Sequence, residues 1–249
     1  MRARMDILLQ PDFWIAAAMT LLAGVVRGFA GFGAAIIQAP VFALLYPPAE
    51  AVATLAALGT VASLQLLPGV ARESTPRQLA PLIALGLLAV PLGSLVLVTV
   101  AADTMRRAIS AIVLVMVVAL LGGVRYPGRP GPWSAAGVGA LSGLLNGATG
   151  VGGPPVVLYF LAGPQTAATN RANLIVYYTF LNGCTAAALL WHGAYTPATV
   201  LRTAALWPVQ VLSLWVGAWL FRRVGDTHYR RIAMLLMLAV ALFGLFYRR

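Results

Sequence analysis

Eight long apolar stretches divide this chain, and they restrict it to folds that place most of its length in a lipid bilayer. They run over residues 13–46, 50–67, 79–101, 105–124, 133–163, 169–191, 199–221 and 229–247. Most of them reach the roughly 20 residues that a transmembrane helix needs. Because 61% of the 249 residues are hydrophobic and only 9% are charged, no water-soluble core could hide the apolar surface. A β-barrel is excluded, since its strands would alternate polar and apolar residues.

The charge balance is strongly positive, with 17 arginines, no lysine and six acidic residues. In a soluble protein this excess would indicate a nucleic acid partner. Here nearly all of the arginines stand at the ends of apolar stretches, where they anchor helices at lipid headgroups. We therefore expect the lipid bilayer as a partner and no nucleic acid. The single cysteine, Cys184, leaves neither an intramolecular disulfide nor a thiolate-rich metal site.

Two glycine-rich strings, 119 residues apart, indicate an internal duplication. When residues 22–65 are laid on residues 141–184 without a gap, four glycines of each string coincide, in the pairs Gly24/Gly143, Gly28/Gly147, Gly31/Gly150 and Gly33/Gly152. The sequence thus predicts one all-α membrane domain over residues 1–249 built from two repeated halves, which span about 13–124 and 133–247. The halves are joined by a linker rich in proline and glycine at 125–132.

Each glycine string falls inside the first stretch of its half and is expected to break the helix there. As one straight helix, residues 13–46 would be about 51 Å long, well beyond a hydrocarbon core of about 30 Å. In the second half the break lies between Asn146 and Gly153, and the helix restarts on Pro154. Two geometries fit: a discontinuous helix that crosses the membrane once, or a re-entrant hairpin that leaves on the side it entered.

The choice between these geometries decides how the halves are oriented. A hairpin leaves three spans in each half and makes the halves inverted, whereas a single broken span gives four and makes them parallel. In the hairpin arrangement nine arginines collect on one side and seven on the other. Because arginine and lysine favour the cytoplasmic side, this count favours inverted halves, with the side that carries nine arginines in the cytoplasm.

Unwound backbone at membrane depth requires protein or a water-filled cavity to satisfy its polar groups, so the breaks should line a site. Helices that restart at about Ala34 and Pro154 would point free N–H groups and positive dipole ends at the centre, which suits a small anion. The earlier glycines are better explained by close helix packing, namely Gly24, Gly28, Gly143 and Gly147. Broken helices in duplicated halves are typical of transporters that work by alternating access.

Arg27 gives the sign of the expected ligand. It lies about mid-depth in its arm, where an arginine is costly and normally faces a functional interior. Its counterpart in the second half is the neutral Asn146, and no acid stands in either break to pair with it. An unpaired central cation indicates an anionic substrate, while snorkelling or bonding to broken-helix carbonyls is the alternative explanation.

The predicted substrate site combines the breaks with polar side chains of the same segments. It comprises Arg27, Gly31, Gly33, Gln38, Asn146, Thr149, Gly150, Gly152, Gly153, Asn173 and Tyr177. Weaker polar candidates are Thr54, Thr60, Ser63, Asn170, Arg171, Tyr178, Thr179 and Asn182. The sequence contains no Gly-x-Ser-x-Gly or His-Glu-x-x-His motif and only two histidines, so we expect neither an enzyme nor a metal site, and no cofactor.

With these strings the chain resembles the sulfite exporter TauE/SafE family of bacterial and archaeal inner-membrane transporters. The resemblance implies a multi-pass protein of the prokaryotic inner membrane that exports sulfite, an organosulfonate or a related small anion. An anion channel and a carrier of another organic anion, such as a carboxylate, stay open as alternatives, as does a homodimer. Phe29, Phe32 and the polar segment 170–178 depart from the family pattern and leave the identity of the anion open.

Overall fold

The computed structural model describes residues 9–121, 131–163 and 165–224, which form helices and no strand. The nine α-helices of this part are α1 (Pro11–Ala30), α2 (Ala34–Leu45), α3 (Pro48–Leu66), α4 (Pro76–Thr99), α5 (Ala102–Leu121), α6 (Pro132–Thr149), α7 (Gly153–Leu161), α8 (Ala167–Trp191) and α9 (Pro197–Val224). Two short 3₁₀ turns, Leu67–Gly69 and Ala71–Glu73, follow α3. The predicted apolar stretch 229–247 and residues 125–130 of the predicted linker lie outside the described residues.

Five of the described helical segments are long and apolar enough to cross a membrane. They are Pro11–Ala30, Pro48–Gly69, Pro76–Thr99, Ala167–Trp191 and Pro197–Arg223. Large apolar side chains also cover the outside of the helices, and all six tryptophans are exposed there. Such a surface is stable against lipid and its interface, where tryptophan is enriched. The all-helical membrane class predicted from composition is therefore confirmed.

Proline starts five of these helices, namely α1, α3, α4, α6 and α9. The first position of a helix suits proline because its fixed φ matches the helix and the missing N–H would have no partner there. These prolines thus mark where five of the apolar stretches become helical. The five helices begin close to the predicted first residues of those stretches.

The first glycine string ends α1 and lets the chain reverse. Gly31 and Gly33 have φ values of 81° and 94°, in the left-handed region that favours glycine. The Gln38 side-chain amide donates to the Thr20 hydroxyl at 3.1 Å. The Tyr46 hydroxyl donates to the backbone carbonyl of Asp12, 34 positions away, at 3.3 Å. A straight continuation would separate those last two residues by about 50 Å, so α2 folds back along α1, and we call this pair the first hairpin.

The second glycine string produces the same reversal. Gly150 has a φ of 75°, and its N–H donates to the carbonyl of Asn146 at 2.9 Å, closing α6. The Tyr159 hydroxyl near the end of α7 donates to the carbonyl of Gly131, just before α6, at 3.4 Å. Helix α7 therefore runs back along α6, and we call this pair the second hairpin. The inverted orientation of the halves stays a prediction.

The early glycines of the first string seat α1 directly on α9. A Cβ at Gly28 would overlap the Leu214 carbonyl and crowd the backbone of Gly217 and Ala218. Gly24, one turn earlier, faces the Ser213 side chain in the same tight way. Glycine is required at Gly28 because any side chain would push the two backbones apart, whereas a side chain at Gly24 would displace the side chain of Ser213.

The second string makes the corresponding contact with α4. A Cβ at Gly147 would overlap the Val90 carbonyl and crowd the backbone of Gly93 and Ser94. Gly147 thus contacts α4 through the same three kinds of backbone atom as Gly28 contacts α9. In chain order these are a carbonyl oxygen, a glycine Cα and an amide nitrogen. The packing prediction for the early glycines is confirmed, and each hairpin packs on a helix from the other half, while α3 and α8 contact each other between them.

Candidate functional site

A small central cavity is lined by both hairpin turns together with α3, α8 and α9. Its volume is about 30 Å³, room for about one or two water molecules. The polar side chains that line it are Arg27, Gln38, Asn146, Tyr178, Asn182 and Gln210. Gly33 and Gly153, at the starts of α2 and α7, bring the amino ends of both short helices to its wall.

The structure brings six of the eleven predicted site residues to this cavity, namely Arg27, Gly33, Gln38, Asn146, Gly150 and Gly153. The other five, Gly31, Thr149, Gly152, Asn173 and Tyr177, do not line it. Among them, Thr149 bonds within its own turn, because its hydroxyl donates to the Leu145 carbonyl at 2.8 Å and accepts from the Val151 N–H at 3.2 Å.

Arg27 is a buried cation at the cavity wall, with only 5% of its surface exposed. Its Nη2 donates to the Ser63 hydroxyl at 2.5 Å and to the Gly59 carbonyl at 3.4 Å, while its guanidinium lies 5.5 Å from the centre of the Tyr178 ring. Among the described residues, its Nε has no hydrogen-bond partner. Within the described residues the two ion pairs involve other arginines, so Arg27 has no acidic partner there.

Asn146 makes the matching contact in the second half without a charge. Its Nδ2 donates to the Thr185 hydroxyl at 2.8 Å and to Asn182 Oδ1 at 3.4 Å. The step from Asn146 to Asn182 is 36 positions, as is the step from Arg27 to Ser63. The cavity therefore combines two related contacts, one cationic and one neutral.

Arg171 binds the first hairpin turn and does not line the cavity. From α8, its Nη2 donates to the Gly28 carbonyl at 2.7 Å and its Nε donates to the Phe29 carbonyl at 3.2 Å. These carbonyls end α1, where the partial charge of a helix is negative, so the guanidinium caps that end. At the second turn Gly150 instead lies beside the apolar side chains of Val52 and Leu55.

Among the polar side chains at the cavity wall, Gln210 on α9 was not among the site residues predicted from the sequence. It is 1% exposed and lies beside Gly24, against which its amide is packed. The glycine strings gave no signal for it, because it belongs to the third stretch of the second half. The close approach of Gly217 to Gly28 is the contact that brings it to the site.

We predict that Asn173→Ala lowers the stability of the protein by about 1 kcal/mol and leaves anion affinity unchanged. The Asn173 side chain accepts from the Thr75 N–H and donates to the Thr75 hydroxyl, both at 2.8 Å, tying α8 to the start of α4. Thermal unfolding and anion titration of the purified protein measure the two effects. Asn182→Ala, at the cavity wall, is the comparison variant. An equal loss of affinity in both variants would contradict the prediction.

A polar cavity between two helical hairpins, with one cation at its wall that has no acidic partner among the described residues, defines a class of polytopic helical membrane protein with a polar interior site. The chain belongs to the sulfite exporter TauE/SafE family, whose sequence model matches residues 16–244. It is 31% identical over 199 residues to the "Probable sulfite/organosulfonate exporter TauE" of Cupriavidus necator, with 75% of each chain covered. No solved structure matches the chain.

Proposed function

We propose that this protein exports a small anion, sulfite or an organosulfonate, across a prokaryotic inner membrane, and that the anion binds in the central cavity. The family is one of sulfite exporters, and the relative from Cupriavidus necator carries sulfite and organosulfonate in its name. The observation that carries the proposal for this chain is Arg27, a cation buried at the cavity wall without an acidic partner among the described residues.

The electrostatics of the cavity support an anionic ligand. A buried charge without a partner costs several kcal/mol even after relaxation of its surroundings. A bound anion offsets this cost, and Arg27 Nε, which has no partner in the part of the chain that the structure describes, supplies a donor for it. The amino ends of α2 and α7, where N–H groups lack helical partners, meet at the same cavity.

The packing of the hairpins supports transport by alternating access. A cavity of about 30 Å³ holds only one or two waters, so its walls must move to admit and release an anion. Both hairpins reverse direction, which favours the re-entrant arrangement with inverted halves. Each hairpin packs on a helix of the other half. Rocking one half against the other would therefore change the positions of the two hairpin turns that line the cavity.

We expect Arg27→Gln to reduce uptake of sulfite and methanesulfonate into proteoliposomes by about 100-fold. Removing one partner of a buried charge pair costs about 2–5 kcal/mol, and about 1.4 kcal/mol corresponds to a factor of ten. Arg27→Lys, which keeps the charge and loses the fork of donors, should retain a larger share of the rate.

The matched control is Arg72→Gln, which removes an exposed arginine from the short turn after α3. Its uptake should equal that of the wild type. If folded Arg27→Gln protein moves both anions at the wild-type rate, the proposed site is wrong. A rate that saturates with anion concentration distinguishes a carrier from a channel.

A further inference from the structure

We infer that the cavity selects anions with a single negative charge, and that the number of cations at positions 27 and 146 sets this selectivity. The inference rests on the proposed function and narrows its substrate to a class. Hydrogen sulfite and organosulfonates carry one charge, whereas sulfite itself and sulfate carry two. The number of formal charges at the cavity decides which anion it holds.

Within the described residues Arg27 is the one charged side chain at the cavity wall. The other polar side chains there are amides and one phenol. On α3, Glu50 stands five residues before the first cavity residue of that helix, Leu55, about 8 Å along the helix. Its carboxylate lies 3.6 Å from Arg202 and accepts from the Thr199 hydroxyl at 2.8 Å. This acid is therefore engaged elsewhere and adds no negative charge to the cavity.

Arg171 is another buried cation beside the first hairpin, and it does not line the cavity. It precedes Tyr178 by seven residues on α8, about 10 Å along the helix. Its guanidinium is held by the carbonyls of Gly28 and Phe29 and lies 4.5 Å from the centre of the Phe221 ring. The carbonyl end of α1 thus offsets part of its charge.

The helix ends add little net charge. Each turn places the positive end of a short helix, α2 or α7, next to the negative end of a longer one, α1 or α6. These partial charges are about half an elementary charge each and opposite in sign, so they orient a ligand more than they change its preferred charge. One full positive charge remains, and it offsets one negative charge.

A second negative charge on the ligand would enter this site without a partner. In a protein interior such a charge costs several kcal/mol, a larger effect than the small differences in shape between sulfonate and sulfate. The neutral donors suit the remaining oxygens of a monoanion. The buried Tyr178 hydroxyl has no hydrogen-bond partner within residues 9–121, 131–163 and 165–224, and it lies at the start of α7, where a Cβ on Gly153 would approach it to 2.7 Å.

Position 146 is where a second cation can be added. Asn146 and Asn182 stand in the same relation as Arg27 and Ser63. The double variant Asn146→Arg with Asn182→Ser therefore copies the first-half contact into the second half. It doubles the positive charge at the cavity with groups that the protein already accommodates on the other side.

Methanesulfonate and sulfate form the matched pair of probes, because they are similar in size and differ in charge. In proteoliposomes of the full chain, we expect wild-type protein to take up methanesulfonate at least about 30-fold faster than sulfate, from about 2 kcal/mol of uncompensated charge. The double variant should shift this ratio towards sulfate by about tenfold or more. Asn146→Gln with Asn182→Ser, which changes size without adding charge, should keep the wild-type ratio.

Sulfite gives an independent measurement on the wild type. Hydrogen sulfite loses its proton as pH rises past neutrality, so uptake at a fixed total sulfite concentration should fall. Uptake of methanesulfonate, which keeps one charge, should change little over the same range. A parallel decline for both anions would contradict selection by charge.

The outcomes separate this inference from the proposed function. Equal wild-type uptake of sulfate and methanesulfonate overturns the selectivity and leaves anion export intact. The selectivity is also wrong if the charged and uncharged double variants show the same ratio. Uptake of neither anion, nor of sulfite, overturns the proposed function and this inference with it. The wild-type measurements decide the matter even if the charged variant does not fold.

Discussion

Gly147→Leu is expected to abolish folded protein, whereas Gly137→Leu on the same helix should leave it intact. The leucine of Gly147→Leu would overlap the backbone of α4 at the Val90 carbonyl and crowd the Ser94 nitrogen. Overpacking against movable side chains costs about 1–3 kcal/mol, and a backbone wall yields less than a side chain. We therefore expect a loss of about 3 kcal/mol or more, at or above the upper end of that range.

Size-exclusion chromatography and thermal unfolding in detergent measure this loss. At Gly137 an added Cβ meets nothing within 4 Å, and the position is exposed, which makes it the matched control. Gly28→Leu should fail in the same way as Gly147→Leu, because the backbone of α9 surrounds it as α4 surrounds Gly147. A monodisperse Gly147→Leu protein with wild-type thermal stability would disprove the close contact between α4 and α6.

Arg171→Met is expected to destabilise the protein by about 2–5 kcal/mol. The guanidinium donates to two carbonyls that end α1, and methionine offers neither donors nor charge. The carbonyl end of the helix would then lose the cation that stabilises it in a site away from water. Thermal unfolding of the purified variant, with and without anion, measures the change.

Arg171→Lys is the comparison for this second prediction. Lysine keeps the charge and loses the planar fork that reaches two carbonyls, so it should recover part of the stability. Because Arg171 does not line the cavity, the folded Lys variant should bind anions with wild-type affinity. Wild-type stability of Arg171→Met would remove the capping role of this residue.

Helix positions were predictable because they depend on local properties of the chain. Apolar length located the helices, and the phase of the glycines located both interruptions. The choice between a straight broken helix and a hairpin was not predictable, since it depends on contacts such as that between Tyr46 and Asp12. No local signal records a hydrogen bond between residues so far apart in sequence.

The lining of the cavity was predictable where the two aligned strings supplied a comparison, while its role as a substrate site stays a prediction. Arg27 was prominent because its counterpart, Asn146, is neutral, and both line the cavity. Polarity alone could not separate Asn173, which holds the start of α4, from Asn182, which lines the cavity. The position of Gln210 at the cavity depends on the packing of α9 against α1. This contact joins the two halves, and the sequence of neither half alone predicts it.

The pairing of each hairpin with the opposite half also dictates an order of assembly during synthesis. Only α5 separates α4 from α6 in the growing chain, so the second hairpin can pack on α4 soon after it leaves the ribosome. Helix α1 is made first, yet the surface that receives Gly28 lies around Gly217. Until α9 has been inserted, the glycine face of α1 must contact either lipid or the insertion machinery. The cavity closes only when the last described helix arrives.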